Sequence, residues 1–419
     1  MDPRLGVYIH IPFCASKCGY CDFCSYAGSE KLMPRYHAAL LGHIREAGPQ
    51  LRQHHIDTVY FGGGTPSYYG ARKLCEILNC LKINALVYKT AEVTVEVNPD
   101  SVRKRDLKLL RSEGFNRVSI GAQSANDDIL KLIGRRHNWD QVVRAAENAR
   151  EAGFDNISLD LIYGLPSQSA EDWADTLNKA LALRPEHLSC YALTLNPNTP
   201  MYEYKSSPLL PDDDTQADMY LYTVETLERF GYGQYEISNF CLKGRESRHN
   251  MKYWLLRDYM GFGAGAHSCV DGVRYSFVKD LRQYISGIHN ADKVIDEYEK
   301  IEFIGLAAEY IMLGMRTVRG ISEKEYHRIF KSDFEPIESA LREFEQKGWA
   351  VTEGDRWHFT PNGFLLSNLL IGILLDKQAA LRASGNPWMG AESLFTEREE
   401  LPAGEEIFYR SHEREKQTN

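Results

Sequence analysis

Short apolar runs alternate with amphipathic helical patterns over the first half of the chain. Six runs rich in β-branched and aromatic residues predict strands at 6–11, 58–61, 93–97, 117–121, 157–162 and 188–193. Helical periodicity occupies 33–53, 71–82, 102–112, 140–152 and 170–183, and an acidic turn caps a further helix at 213–230. This alternation predicts an α/β fold of parallel βα units, which a doubly wound sheet and a barrel satisfy equally well.

The pattern changes from about residue 300 onward. Helical stretches near 302–315, 323–329 and 336–347 precede 349–360, which predicts a β-hairpin, and a final helix begins at Asn362. This order favours a winged-helix-like α+β domain at 300–376. We therefore expect a first domain at 1–240, a connecting segment at 241–299 and a charged, partly disordered tail at 377–419.

Composition indicates a soluble globular protein with no nucleic-acid role. The 419 residues are 43% hydrophobic and carry a net charge of −9, which argues against nucleic acid as the main partner. No apolar run approaches the roughly 20 residues that span a bilayer, and the N-terminus lacks the pattern of a signal peptide. Nine cysteines, an odd number clustered toward one end, fit a reducing cytosol, so we expect a cytoplasmic location.

Three cysteines, Cys14, Cys18 and Cys21, follow the first predicted strand at spacings of four and three residues. A short loop can turn three such thiolates toward one inorganic cluster. A [4Fe–4S] cube usually takes four cysteines, so three leave one iron open for a cofactor. Structural zinc is the alternative, but it usually needs a second pair of ligands downstream, and the later cysteines are scattered.

The run Tyr-Ile-His-Ile-Pro-Phe-Cys at 8–14, together with this spacing, resembles the radical S-adenosylmethionine (SAM) superfamily. The branch it resembles contains the oxygen-independent coproporphyrinogen III oxidases (HemN) and the heme chaperones (HemW), and the likeness extends from about Val7 to Leu370. It implies a partial (βα)6 TIM-type barrel, with SAM on the open iron of a [4Fe–4S] cluster. An electron donor would then be needed for SAM cleavage.

Polar or glycine-rich residues follow the predicted strands, where a barrel places its site. A carboxylate in a buried strand is costly unless paired, which favours a binding role for the acids among them. The resemblance assigns to SAM the residues Tyr8, Tyr20, Gly63, Gly64, Thr65, Glu96, Gln123, Arg135 and Asp160. The choice of Arg135 over Arg136 rests on the alignment alone, and core packing explains Tyr8 and Tyr20 nearly as well.

The segment His-Asn-Met-Lys-Tyr-Trp at 249–254 is the second source of candidate chemistry. On a helix, His249 and Tyr253 share one face and Asn250 and Trp254 a neighbouring one. Histidine ligates heme iron and flat rings pack against the macrocycle, although a lone histidine among aromatics is usually a core residue. The segment resembles the His-Asn-x-x-Tyr-Trp motif of the heme-chaperone branch, which implies heme with His249 at the iron.

Three functions fit these features, and no catalytic residue is assigned. The first is a heme chaperone that passes heme to an unidentified acceptor protein. The others are an oxygen-independent coproporphyrinogen III oxidase and another radical SAM reaction on a tetrapyrrole. The chaperone is favoured because the motif is intact, the chain begins shortly before the cluster strand, and Phe23 replaces a cysteine of the oxidase branch. Cys24 is out of register with that cysteine, so we expect no role for it at the cluster.

Overall fold

The computed structural model describes residues 4–290 and 293–383. The strands are β1 (Arg4–Ile11), β2 (Phe13–Cys14), β3 (Tyr26–Ala27), β4 (His55–Gly63), β5 (Leu86–Val97), β6 (Arg117–Gln123), β7 (Ile157–Tyr163), β8 (His187–Ala192), β9 (Gly233–Glu236), β10 (Asn239–Cys241), β11 (Tyr259–Phe262), β12 (His267–Val270), β13 (Val273–Phe277), β14 (Ile295–Lys300), β15 (Ile321–Ser322), β16 (Ala350–Glu353) and β17 (Arg356–Phe359).

The helices fill the connections between these strands and supply most of the C-terminal region. They are α1 (Met33–Glu46), α2 (Gly48–Leu51), α3 (Pro66–Tyr69), α4 (Ala71–Asn84), α5 (Lys104–Glu113), α6 (Asp127–Leu132), α7 (Trp139–Glu151), α8 (Ala170–Ala182), α9 (Asp213–Arg229), α10 (Arg248–Trp254), α11 (Leu281–Asn290), α12 (Phe303–Gly314), α13 (Glu323–Phe330), α14 (Glu335–Gln346), α15 (Pro361–Leu365) and α16 (Ser367–Ala383). None of the described helices has the length and apolar character needed to cross a bilayer.

One large sheet has the order β14-β13-β12-β11-β1-β4-β5-β6-β7-β8-β10-β9. Its strands β1, β4, β5, β6, β7 and β8 are parallel neighbours, which confirms the predicted βα core. These strands are buried on both faces, as β1 shows, where nearly all side chains are buried. Because both faces are buried, the sequence of each strand is a nearly continuous apolar run.

The segment predicted at 241–299 as a connection that carries the motif contributes strands β11 to β14 to this sheet, so it is more than a connection. Strand β11 pairs in parallel with β1, with Gly6 opposite Tyr259 and Ile9 opposite Phe262. Strands β12, β13 and β14 then extend the sheet in antiparallel order. A single short strand such as β11 gives little sequence signal, but it satisfies the hydrogen-bonding edge that β1 would otherwise leave open.

Local signals set several helix starts as predicted. The acidic turn before α9 caps that helix, since the Asp212 side chain accepts a hydrogen bond from the Thr215 N–H at 2.8 Å. Helix α8 begins with a reciprocal capping box between Ser169 and Asp172. Such caps satisfy backbone N–H groups that have no partner within the helix.

The C-terminal part combines helices with a small antiparallel sheet of order β15-β17-β16. The predicted hairpin is confirmed as β16 and β17, in which Ala350 lies opposite Phe359. Helix α16 continues to Ala383, so residues 377–383 are helical where the sequence predicted the start of a disordered tail. The remainder of that predicted tail, 384–419, lies outside the described residues.

A buried ion pair ties α10 to β4. Lys252 Nζ lies 2.7 Å from Asp57 Oδ1, and the two side chains are only 8% and 9% exposed. The aliphatic stem of Lys252 packs over Gly6, where an added Cβ would come within 2.6 Å of Lys252 Cδ. This contact fixes the His-Asn-x-x-Tyr-Trp helix against the sheet.

We predict that Asp57→Asn lowers the free energy of unfolding by about 3–5 kcal/mol, because it leaves the Lys252 ammonium buried without a counter-charge. Urea unfolding of the variant measures this loss. Asp175→Asn is the matched control, since Asp175 pairs with Lys179 on an exposed helix face and should change stability by less than about 1 kcal/mol. Equal effects of the two substitutions would contradict the prediction.

Candidate functional site

A cavity of about 380 Å³ opens at the carboxyl ends of the parallel strands, and we call it the cluster cavity. It brings together eleven of the residues assigned from the sequence: Cys14, Cys18, Cys21, Tyr20, Gly63, Gly64, Thr65, Glu96, Gln123, Arg135 and Asp160. They come from five strands or the loops that follow them. Parallel strands place their carboxyl ends on one edge, which is why residues so distant in sequence meet here.

Of the three predicted cluster cysteines, Cys14 ends β2, and Cys18 and Cys21 lie on the loop that follows it. The Thr65 hydroxyl donates to Cys14 Sγ at 3.4 Å, and Arg135 Nη1 donates to Cys18 Sγ at 3.6 Å. Burial raises the pKa of the Cys14 and Cys21 thiols, so a bound metal must supply the positive charge that stabilises their thiolates. The donor set of three thiols beside a cation and a hydroxyl fits a [4Fe–4S] cluster with one open iron.

Two observations separate this loop from the zinc alternative and from a fourth ligand. Within 4–290 and 293–383, no three histidine, cysteine or acidic side chains are arranged around a single metal ion, whereas in a cube each cysteine binds its own iron. Cys24 does not line the cluster cavity. Its Sγ donates to the Tyr26 hydroxyl at 3.8 Å, and it lies against Gly265, on the other side of the loop.

The glycines after β4 are required by packing around the cysteine loop. A Cβ on Gly64 would lie 2.8 Å from Phe13 O and 3.0 Å from Cys14 Sγ, and one on Gly63 would lie 2.5 Å from the His10 ring. The sequence predicted that these backbone groups approach SAM. Their N–H groups are instead already donated, from Gly63 to Glu96 and from Gly64 to Ile11 O.

The structure places the two neighbouring arginines, Arg135 and Arg136, in different surroundings. Arg135 lines the cluster cavity and donates through Nη2 to Gly121 O at 2.7 Å and to Asn98 Oδ1 at 3.0 Å, while its buried Nε has no partner. Arg136 turns away and pairs with Asp100 at 3.5 Å. A guanidinium that lines the cavity beside the cysteines suits the carboxylate of SAM by its charge.

Gln123 lies at the end of β6 in a strained backbone conformation, with φ of 66°. A non-glycine residue in the left-handed region costs energy and persists only where its surroundings enforce it. Here the β6–β7 register shifts between Gly121 and Gln123, and the amide of Gln123 then lies in the cavity wall. The shift brings a polar side chain to the site at a strand end, as predicted.

Two carboxylates face the cavity from β5 and β7, the strands on either side of β6. Burial raises the pKa of Glu96 from 4.5 to about 7, although the Tyr60 hydroxyl donates to it at 2.8 Å. Burial also raises the pKa of Asp160, which accepts hydrogen bonds from Ser119 and Ser189 at 2.9 and 2.8 Å. Hydroxyl and amino groups of a ligand would stabilise both carboxylates, so they fit the ribose and amino groups of SAM.

Tyr8 is not among the residues that line the cluster cavity, so its contact with SAM stays a prediction. Its hydroxyl donates to His10 Nδ1 at 3.0 Å, and its ring stacks with Tyr60 and His249 at centroid distances of 6.2 and 6.4 Å. Strand alternation turns Tyr8 toward α10 rather than toward the cysteine loop. Tyr20, by contrast, lies in the cavity wall.

His249 is buried, with 1% of its surface exposed. Nδ1 is hydrogen-bonded to the Thr58 hydroxyl at 2.9 Å and Nε2 to the Tyr253 hydroxyl at 2.8 Å. Ligation of heme iron by His249 stays a prediction, and it requires one of these hydrogen bonds to break. Burial lowers the pKa of His249 to about 3, which keeps the ring neutral. The imidazole therefore orients Tyr253 within the motif.

A second, larger cavity of about 930 Å³ lies beside the motif, and we call it the apolar cavity. Its wall contains Tyr253 and Trp254 of α10, Tyr259 of β11, and Leu306 and Leu313 of α12. It therefore lies between the large sheet and the C-terminal helices. Tyr191 and Asn250 line both this cavity and the cluster cavity, so the two cavities share one wall.

Several residues that line the cluster cavity were not predicted from the sequence. On β6, Arg117, Ser119 and Gly121 precede Gln123 at intervals of two and all line the cavity. The period of two was the available signal, because alternate residues of a strand face the same side. Tyr191 and Asn250 had no comparable signal, since only the pairing of β8 and the docking of α10 bring them to the shared wall.

A parallel βα sheet with a three-cysteine loop at its carboxyl edge defines a radical SAM protein. A model of the Radical SAM superfamily matches residues 8–180, and one of the HemN C-terminal domain matches residues 305–366. The cofactors of that superfamily, a [4Fe–4S] cluster and SAM, fit the cluster cavity.

Curated relatives identify the family within the radical SAM superfamily. The heme chaperone HemW of Bacillus subtilis (strain 168) is 35% identical over 89% of this chain and 99% of the relative, and that of Escherichia coli (strain K12) is 33% identical over 89% and 98%. The chain belongs to the HemW family. The solved structure of coproporphyrinogen III oxidase (HemN) from Escherichia coli aligns with a TM-score of 0.79 and 23% identity, covering 89% of this chain and 90% of that one, and it shows a shared fold.

We predict that Gly64→Ala prevents stable cluster binding, because the added methyl group displaces Phe13 and Cys14. Iron and sulfide content after anaerobic reconstitution should fall several-fold, and the charge-transfer absorbance of the cluster should fall with them. Gly42→Ala is the control, since its Cβ would make only an ordinary contact of 3.5 Å with Ile288. A normal iron content in Gly64→Ala would contradict the prediction.

We predict that Glu96→Gln stabilises the cluster-free protein increasingly as pH rises from about 4.5 to 7. The native carboxyl holds its proton until about pH 7, whereas the unfolded one releases it near 4.5, so wild-type stability falls over this window. The variant has no carboxyl group at this position, so its free energy of unfolding does not fall in this way. Near pH 7 it should exceed that of wild type by about 1–3 kcal/mol. Urea unfolding between pH 5 and 8 measures the difference, with the exposed Glu343→Gln as control. If the free energies of unfolding of wild type and Glu96→Gln change with pH in the same way, the prediction is contradicted.

Proposed function

We propose that this chain is a heme chaperone that holds heme in the apolar cavity and passes it to an acceptor protein. The observation that carries the proposal is the apolar cavity itself, built on Tyr253 and Trp254 of the His-Asn-x-x-Tyr-Trp segment. The activity is inferred from the relatives, which are named heme chaperones, and this cavity is the proposed binding place for heme. The cluster and SAM form an adjoining module.

The size and chemistry of the apolar cavity suit a flat macrocycle. Its volume of about 930 Å³ lies near the upper end of the range of about 300–1,000 Å³ that is typical of small-ligand sites. Aromatic rings of Tyr253, Trp254 and Tyr259 meet aliphatic side chains of α12 across it. Aromatic side chains bury large apolar areas and stack against flat ligands, as binding of a porphyrin requires.

The apolar cavity offers candidate iron ligands other than the predicted His249. The described residues that line the cavity include no histidine and no methionine. Cysteine thiolate and tyrosine phenolate also ligate heme iron, and the cavity offers Cys269 and Tyr259. Burial raises the pKa of the Cys269 thiol to about 11, so ligation by this residue would need the iron to displace the proton. Weak ligation is compatible with temporary storage.

The position of the apolar cavity suits release of its ligand. Leu306 and Leu313 of α12 form one wall, and residues of the large sheet form the other. A cavity between two parts of a chain opens when those parts move apart, and contact with an acceptor protein could drive that movement. The chemistry of the acceptor and of any electron donor is left open by this arrangement.

One observation favours a second candidate, an oxidase that acts on coproporphyrinogen. Tyr191 and Asn250 are shared by the two cavities, so a tetrapyrrole in the apolar cavity would lie beside the SAM-binding side chains. Anaerobic assay with coproporphyrinogen, SAM and a reductant separates the two functions. Two decarboxylations per product would support the oxidase, whereas saturable heme binding without turnover would support the chaperone.

We predict that Leu313→Trp abolishes saturable heme binding, because the larger side chain fills the apolar cavity. Anaerobic titration followed in the Soret band should give about one heme per chain in wild type and a loss of affinity of at least about tenfold in the variant. Leu369→Trp is the control, since Leu369 is 63% exposed on α16.

The same titration tests the role of His249. Glutamine can keep the hydrogen bonds to Thr58 and Tyr253, so His249→Gln should bind heme with an unchanged Soret spectrum. A changed spectrum in His249→Gln would restore His249 as the ligand. Equal heme binding by Leu313→Trp and wild type would overturn the proposed site.

A further inference from the structure

A third cavity adjoins the apolar cavity and differs from it in charge. It has a volume of about 220 Å³ and shares Trp254, Leu256, Arg257 and Leu306 with the apolar cavity. Beyond this shared wall it is lined by α12, α13 and the turn between them. Because three guanidinium groups line it, from Arg257, Arg319 and Arg328, we call it the arginine cavity.

The arginine cavity carries uncompensated positive charge. Its single acidic side chain, Glu325, is already engaged by Arg319 Nη2 at 2.8 Å and by Arg356 Nη2 at 2.5 Å. Among residues 4–290 and 293–383, no carboxylate lies within ion-pair distance of Arg257 or Arg328. Arg257, which lines both cavities, and Arg328, which lines the arginine cavity alone, are therefore exposed guanidinium groups without an acidic partner among the described residues.

The rest of the apolar cavity has the opposite character. Four acidic residues line it, Glu236, Asp258, Asp271 and Glu309, together with the cations Arg4 and Arg274, and Arg274 is bound to Glu309 at 2.8 Å. Acidic side chains thus outnumber the cations there, whereas the arginine cavity has three guanidinium groups and one carboxylate. An anionic edge of a ligand is therefore favoured in the arginine cavity.

We propose that the arginine cavity binds the propionate carboxylates of heme through Arg257 and Arg328. This inference rests on the proposed function and extends it by orienting the ligand. The macrocycle lies among the aromatic and aliphatic side chains of the apolar cavity, and its propionate edge passes Trp254 toward α13. Guanidinium groups suit this task, since their planar donors meet a carboxylate with two hydrogen bonds.

This orientation has a consequence for specificity. The two arginines distinguish tetrapyrroles that carry free carboxylates along one edge from those that do not. They also attach the ligand to α13 of the C-terminal part, so that movement of this part relative to the sheet would move the heme. Heme affinity should therefore depend on salt concentration, because both guanidinium groups are solvent-exposed.

The test compares heme with its dimethyl ester, in which both propionates are uncharged. Each is titrated anaerobically into the cluster-loaded full chain, the double variant Arg257→Gln/Arg328→Gln, and Arg144→Gln as a control on the exposed face of α7. Wild type and the control should bind heme at least about tenfold more tightly than the ester, as expected for charge-assisted hydrogen bonds. In the double variant, heme affinity should fall to that of the ester while ester affinity is unchanged.

The possible results separate this inference from the proposed function. If wild type binds neither ligand saturably, the proposed function fails and this inference fails with it. If wild type binds heme saturably but no more tightly than the ester, only the arginine site is overturned. The same holds if the double variant still binds heme more tightly than the ester. Equal loss of both ligands in the double variant would also overturn it, because the arginines would then support the cavity rather than the propionates.

Discussion

The parallel pairing of β1 on both of its edges is the constraint on which the rest of this structure depends. On one side β1 pairs with β4, which places Gly63 against His10 of β1 and Gly64 against Phe13 and Cys14 at the start of the cysteine loop. On the other side β1 pairs with β11, which carries Tyr259 into the apolar cavity. One buried strand thus positions both cavities, and the ion pair of Lys252 and Asp57 docks α10 onto the same part of the sheet.

The cluster cavity concentrates polar groups that the protein alone satisfies incompletely. Glu96 and Asp160 both have raised pKa values because burial disfavours their charged forms, and the Nε atoms of Arg117 and Arg135 have no hydrogen-bond partner. Buried polar groups without partners cost stability, and a ligand with amino, carboxylate and hydroxyl groups removes that cost. The electrostatics of the cavity thus agree with the superfamily to which the chain belongs.

The three cavities form a continuous series along the molecule. Tyr191 and Asn250 separate the cluster cavity from the apolar cavity, and Trp254 and Arg257 separate the apolar cavity from the arginine cavity. Helix α10 contributes to the first of these walls and to the second. The aromatic and amide side chains of the His-Asn-x-x-Tyr-Trp segment therefore line the cavities, while its histidine is hydrogen-bonded to Thr58 of β4 and to Tyr253.

The sequence by itself determined the parallel βα core, the C-terminal hairpin and the cysteine loop, because these follow from local periodicity and from residues placed just after predicted strands. The family resemblance added the residues assigned to SAM that line the cluster cavity. The sequence could not determine the direction of Tyr8, the burial of His249 or the pairing of β11 with β1. Those depend on contacts between distant segments, such as the hydrogen bond of His249 to Thr58, and only the tertiary structure decides which side chains keep a face open to a ligand.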